Sequence, residues 1–241
     1  MLLFFIRHGD PVYHPDQLTP LGQRQAEAAA KRLALYGIDE IYSSTSTRAM
    51  QTAEPTAEIL KLPIEPLHWC HETLAHKDTL LRNQQGDPHW CWTFPEVVRL
   101  FNTNEIREMG KKWYDHPYFA EHRDRFKNGL ERVERETYAW LATLGYEHDA
   151  EQNGYFARRK RNDRIALFAH EGFGKMFFSA LLDIPYPMFS TRFEMSHTGI
   201  TVIEFTENKD GMVYPRILQY SNDSHLYREG IPTNYKNMIR F

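Results

Sequence analysis

The sequence predicts an α/β fold, a three-layer α/β/α sandwich with a mostly parallel central sheet, as a single domain over 1–241. Three observations carry this. Short apolar runs at 2–6 and 165–169, and a third run at 38–44, each end abruptly in polar residues. Buried parallel strands behave so when they deliver side chains to one sheet edge. Helix-forming stretches alternate with these runs, as in a sheet covered by helices. Between the alternating halves lies a stretch at roughly 76–150, rich in aromatic residues. It is predicted as a helical and aromatic insertion acting as a cap.

A chain of 241 residues can bury a core without covalent staples. Lys and Arg total 29 against 32 Asp and Glu, a net charge of −3. That balance gives no global case for nucleic acid or an anionic membrane as partner. Two cysteines, Cys70 and Cys91, make neither a disulfide framework nor a metal cluster. The opening apolar run is too short for a signal peptide or a membrane span. A soluble cytoplasmic protein is expected.

The first run, Leu2-Leu3-Phe4-Phe5-Ile6, leads into Arg7-His8-Gly9. After a turn-rich stretch, Thr19 followed by Pro20 reads as an N-cap with proline at the first helical position. An Ala-rich helix follows and Gly37 ends it. Residues 38–44 read as the second strand, closing at Ser43-Ser44. Ser46 or Thr47 caps a helix over about 47–60, with Arg48 in its first turn. Residues 63–67 form a third extended segment, followed by His71-Glu72-Thr73-Leu74.

From about 76 to 120 periodicity is weak. Trp90, Trp92 and Phe94 make one aromatic knot, and Trp113, Tyr114, Tyr118 and Phe119 another. They read either as a lid over the site or as a satellite core within an insertion. As an exposed surface they would instead form the interface of a homodimer. Phe126, Leu130, Val133, Thr137 and Leu141 recur at helical spacing, predicting a long helix over 121–144. Residues 147–163, with the run Arg158-Arg159-Lys160-Arg161, read as a solvated surface loop. A strand at 165–169 ends at His170-Glu171-Gly172. A helix beginning near Gly174, strands at 200–205 and 216–220, and a surface tail from 224 complete the chain.

Three strand ends therefore carry polar groups to one edge: Arg7 and His8, then Ser43 and Ser44 with Arg48, then His170. In a parallel sheet that edge is where ligands bind. Two arginines and two histidines make a cationic cluster suited to a dianionic group, and Arg forks match phosphate oxygens. The flanking arginines would repel a metal cation, so neither metal nor cofactor is expected.

Four stretches, in order and in strand context, resemble the histidine phosphatase superfamily, the phosphoglycerate-mutase-like family. They are Arg7-His8-Gly9, then Leu18-Thr19-Pro20-Leu21-Gly22-Gln23-Arg24-Gln25-Ala26, then Ser43-Ser44 with Arg48-Ala49-Met50-Gln51-Thr52-Ala53, and His170-Glu171-Gly172. The resemblance covers both ends of the chain and little of the middle. It implies that His8 is the nucleophile taking a phosphoryl group, with one ring nitrogen free and the other held by a backbone carbonyl. It implies that Arg7, Arg48 and His170 bind the phosphoryl oxygens, and that Glu72 is the proton donor, although the carboxylate of Asp78 lies near it in sequence. His14 stands where many members place an Asn, so a weak phosphate contact is implied there. His197 is a further candidate.

The resemblance implies a small-molecule phosphomonoester as partner. Phosphomonoester hydrolysis is the reading preferred, because Asp10-Pro11-Val12-Tyr13-His14 lacks the Glu-Ser and Trp-Asn pairs of the mutase pattern. Phosphoryl transfer within a phosphosugar acid is the first alternative, and a catalytically weak phosphate-binding module the second. Glu171, where a small residue is frequent, would be repulsive if it faced a dianion. It is expected to point away or to contact a cationic or hydroxyl part of the substrate.

Overall fold

Leu3, Phe4, Phe5 and Ile6 are all buried, so the strand that carries them lies inside a sheet covered on both faces. The structure is a computed structural model and describes residues 1–232. In chain order the strands are β1 (Leu2–Arg7), β2 (Pro11–Tyr13), β3 (Asp16–Leu18), β4 (Glu40–Ser44), β5 (Ile64–Leu67), β6 (Leu80–Arg82), β7 (Pro88–Trp90), β8 (Tyr146–Asp149), β9 (Gly154–Ala157), β10 (Arg164–Ala169), β11 (Ile200–Glu204), β12 (Met212–Val213) and β13 (Arg216–Asn222). The helices are α1 (Pro20–Tyr36), α2 (Thr47–Leu60), α3 (Glu72–Thr79), α4 (Pro95–Phe101), α5 (Asn104–Met109), α6 (Arg123–Thr143), α7 (Glu171–Leu182), α8 (Tyr186–Ser190) and α9 (Ser224–Arg228).

The central sheet runs β13-β11-β1-β10-β4-β5. Strands β1, β10, β4 and β5 are mutually parallel, and β11 runs antiparallel to β1 and β13. The expected α/β architecture with a mostly parallel sheet is the one present. Register pairs Arg7 with Ala169 and Phe168 with Ser43, so β1, β10 and β4 end nearly level. The alternating side chains of β1 divide two cores. Phe4 and Ile6 pack with Leu33, Ile41 and Ala53 from the α1–α2 side. Leu3 and Phe5 pack with Phe173, Phe177 and Leu141 from the α6–α7 side.

The caps read from the sequence are made. The Thr19 hydroxyl accepts from Gly22 N at 3.0 Å with Pro20 opening α1, and Ser46 rather than Thr47 caps α2. Gly9 and Gly22 allow two backbones to touch. A Cβ on Gly9 would lie 2.6 Å from the Gly22 carbonyl oxygen, and one on Gly22 would lie 2.2 Å from that of Asp10. The loop after β1 is thus pressed onto the start of α1.

Three expectations are corrected. Residues 147–163 are not simply a loop, because β8 and β9 form a hairpin, joined by β12, that buries Tyr146 and Tyr155. Its strands have four residues each, too few for alternation to stand out in the sequence. Helix α7 begins at Glu171, three residues before Gly174. The region from 224 is not all surface: α9 buries His225 and Leu226, and Ile231 is buried beyond it. The rest of the expected tail, 233–241, lies outside the described residues.

The weakly periodic region consists of short helices, the β6–β7 hairpin and 3-10 turns at Gly110–Asp115 and Pro117–His122. Phe101, Trp113, Phe119 and Phe126 bury together, and the Trp113 ring stacks on Tyr186 at 5.8 Å. These rings belong to the same core as Phe5 and Phe173, so they are continuous with the main core, not a satellite of it. Among the described residues, no helix is long and apolar enough to cross a membrane.

Candidate active site

The level strand ends bring the predicted groups together. His8 follows β1, and its N–H donates to Ala169 O at 2.9 Å, which carries the β1–β10 pairing one step further. His170 follows β10 and precedes α7. The rings of His8 and His170 lie 5.2 Å apart. Arg48, in the first turn of α2, donates from Nη2 to His170 Nδ1 at 3.1 Å. That acceptor role places the ring proton of His170 on Nε2, which faces Ser44 Oγ at 2.8 Å and Ser46 Oγ at 3.3 Å. Both serines therefore orient His170.

His8 Nδ1 lies 2.7 Å from Gly9 O. A carbonyl only accepts, so Nδ1 carries the proton and Nε2 keeps its lone pair. Burial, followed by the charges of His170, Arg48 and Arg7, holds the His8 pKa well below its usual value. Burial and Arg48 do the same to His170. Both rings are neutral at physiological pH.

Each arginine is held by a carboxylate. Arg7 Nη1 pairs with Glu171 Oε2 at 2.9 Å and also donates to Met195 O. Arg48 Nη1 pairs with Asp16 Oδ1 at 2.6 Å, and its guanidinium lies over the Tyr13 ring at 5.3 Å. The Nε groups of both arginines are buried without a hydrogen-bond partner. An unsatisfied buried donor costs on the order of 1–3 kcal/mol. Two in one cluster suit a site that receives acceptor oxygens.

Glu72 opens α3 and reaches the same edge. Its Oε1 accepts from Gly172 N at 3.0 Å and its Oε2 from Phe173 N at 3.4 Å, with His170 Nδ1 3.6 Å away. It thereby satisfies the first turn of α7 from 100 residues away in the chain, and this explains why that helix starts before Gly174. A Cβ on Gly172 would lie 2.2 Å from the Trp90 ring and 2.5 Å from Glu72 Oε1, so glycine is what lets both approach. Burial raises the Glu72 pKa to about 7, against the opposing pull of Arg48. Asp78 is elsewhere, paired with Arg132 at 2.7 Å.

Glu171 departs from expectation. It neither turns away nor waits for a cation on a ligand, but faces inward between Arg7 and Lys175, the latter at 3.4 Å. Because α7 starts at Glu171, Lys175 sits one turn below it on the same face. His14 is exposed in the turn between β2 and β3, and its neighbours Tyr13 and Asp16 are the residues that reach Arg48.

His197 joins the cluster. It is fully buried, its ring is 5.7 Å from that of His8, and its Nδ1 is 3.6 Å from Asp10 Oδ1. The next residue, Thr198, has φ +56°, a strained region for a β-branched residue. Its N–H donates to Arg7 O at 3.1 Å and His8 O at 3.3 Å, which ties this loop to the end of β1. Asp16, Asp10 and Glu171 were not singled out as partners from the sequence. Thr19, the N-cap of α1, donates to Asp10 Oδ2 at 2.8 Å.

Among the described residues, no group of three or more His, Cys, Asp or Glu is arranged to hold a metal ion. The model of the histidine phosphatase superfamily (branch 1) matches residues 3–217. Similar solved structures include the phosphoserine phosphatase of Entamoeba histolytica in complex with phosphoserine, at 19% identity and TM-score 0.58 over 93% of this chain and 98% of that one. They also include a mycobacterial glucosyl-3-phosphoglycerate phosphatase, at 19% identity and TM-score 0.57 over 91% of this chain and 98% of that one. Comparison with curated protein sequences returns no match.

Proposed function

The chain belongs to the histidine phosphatase superfamily, and on that premise we propose that it hydrolyses small phosphomonoesters through a phosphohistidine on His8. The observation that carries this reading is the pairing of two groups poised in complementary states. His8 is neutral with Nε2 unprotonated, and Glu72 titrates at about 7. A nucleophile needs the first state, and a general acid near neutral pH needs the second.

Nε2 of His8 attacks phosphorus in line with the ester oxygen, and the P–O ester bond breaks. Protonated Glu72 gives its proton to the departing oxygen, leaving a carboxylate. Arg7, Arg48 and His170 hold the non-bridging oxygens and meet the charge that spreads over them. A water then attacks the phosphohistidine, Glu72 takes its proton, and cleavage of the N–P bond restores neutral His8. The charge is met by guanidinium groups, so the chemistry is proposed to run without a metal. The two thiols, Cys70 and Cys91, are free and buried, which fits a reducing cytoplasm.

The test is inorganic phosphate release from a panel of phosphomonoesters, phosphoserine and 3-phosphoglycerate included, with and without chelator. Chelator-insensitive turnover is expected, together with acid-labile label on the protein after quenching. His8→Ala is expected to lower turnover at least about 10³-fold while unfolding at the same temperature. Turnover unchanged by that substitution would overturn the assignment. Isomerisation without net phosphate release would point to a mutase, and ligand binding without either reaction to a binding module.

A further inference from the structure

Away from the catalytic cluster, and sharing no residue with it, lies a cavity of about 560 Å³. Its walls come from the last turn of α3, from β6, from the start of α4, and from the 3-10 turn and helix start around His122 and Arg125. The size is within the range of small-molecule sites. Lys77, Arg82 and Arg125 all line it, and Glu96 is the single carboxylate on its walls. The carboxylate nearest in sequence, Asp78, is engaged by Arg132. No ion pair to any of the three cations is found among the described residues, although the whole chain is net negative at −3.

The remaining walls are apolar. Leu81 is buried at the base, Phe94 is half-buried, and Tyr118 is half-exposed at 50%. Arg125 is positioned by donating from Nη1 to Lys77 O at 3.1 Å, and its guanidinium lies over the Phe126 ring at 5.1 Å. Three like charges gathered on a partly apolar cavity repel one another. Burial is the largest influence and lowers the Arg125 pKa, Cys91 and Asp78 oppose it, and the Arg82 charge adds a smaller push in the direction of burial. An anion between them relieves that repulsion, and an apolar body attached to it covers Phe94 and Tyr118.

We propose that this cavity binds an organic anion, a phosphate, sulfonate or carboxylate carried on an aromatic or alkyl body. Both halves of such a ligand are needed, because the cations and the apolar wall face the same space. Helix α3 joins the two sites. Glu72 is its first residue and Lys77 lies in its last turn, so an occupant would hold the helix that carries the candidate acid.

The test uses 1-naphthalenesulfonate as probe, titrated calorimetrically into the full chain. One saturable site is expected, with 1-naphthol binding at least about tenfold more weakly. Lys77→Gln/Arg82→Gln is expected to weaken sulfonate binding at least about tenfold, whereas Arg7→Gln is expected to leave it intact. Should the double variant unfold early, Arg82→Gln alone serves, since Arg82 is exposed on a hairpin. Binding that is lost in Arg7→Gln but not in the Lys77 and Arg82 variants would overturn the proposal, because the probe would then occupy the catalytic cluster. No saturation up to about 10 mM would overturn it as well.

Discussion

The edge of the sheet and the segment from Glu72 to His122 meet at one cluster but are built on different physics. At the edge, strand ends hold His8 and His170 through backbone pairing, and the first turn of α2 holds Arg48 against the His170 ring. In the segment, short helices and 3-10 turns are held by rings, with Trp113 in contact with Phe101, Phe119, Phe126 and Tyr186. The edge supplies fixed cations and a neutral imidazole. The segment supplies one carboxyl group, placed by packing and by the N-terminus of α7. The comparison teaches that charge can be preorganised by a sheet, whereas an acid of raised pKa needs an enclosing wall.

The sharpest way to break this comparison is Glu72→Gln. On alkyl phosphomonoesters, loss of a general acid is expected to lower kcat by roughly 10²–10⁴. On an aryl ester, whose leaving group needs no proton, the loss should be much smaller. The sign of the pH dependence follows from the raised pKa. The acid form of Glu72 predominates below about 7 and is lost above it, so wild-type turnover of alkyl esters should fall as pH rises through that value. The fall should vanish in the variant. Equal losses on both ester types would mean that Glu72 does not act as the acid for the leaving group and that its effect lies in the hydrolysis of the phosphohistidine, a step both esters share.

Next in size is Trp113→Ala, which tests whether the segment stands on its rings. Removing a fully buried indole is expected to cost about 3–5 kcal/mol, read from urea unfolding. The kcat per folded molecule should change far less, since Trp113 has no contact with His8, Arg7 or Arg48. A kcat loss larger than the loss of folded protein would erase the distinction between the two regions.

The smallest expected effect sharpens the edge itself. The side chain of Asp16 is 30% exposed, whereas that of Glu171 on Arg7 is 9% exposed. An ion pair open to water contributes up to about 1 kcal/mol. Asp16→Asn should therefore tighten inhibition by inorganic phosphate by about two- to fivefold, as Arg48 no longer shares its fork. Weaker inhibition would mean that Asp16 positions Arg48 for phosphate instead of competing for it.

Much of the edge was legible in the sequence. An apolar run that stops at Arg7-His8 or at His170 announces both the strand and the end that carries the chemistry, and Thr19-Pro20 announces a helix start. The neutralising partners were not legible. Asp16 meets Arg48 through a hairpin of two three-residue strands, and Asp10 meets His197, itself a candidate in the sequence, beside a loop held in a strained conformation at Thr198. The early start of α7 was hidden because its cap is Glu72, a side chain from a distant element rather than a neighbouring Ser or Thr. The hairpin at 146–157 was hidden because strands of four residues leave no period to read.

By itself, then, the sequence determined the main strands and helices of the two alternating halves, the sheet edge, and the identity of the residues at three strand ends. Those follow from local rules: apolar alternation, caps, and the geometry by which parallel strands share one end. Tertiary structure alone decided the protonation states and pairings. His8 is neutral because burial and neighbouring cations make it so, Glu72 is shifted because α7 and Trp90 close over it, and Glu171 faces Arg7 because the helix begins one residue after His170. Electrostatic energies depend on distance and exclusion of water, and neither is written along a chain.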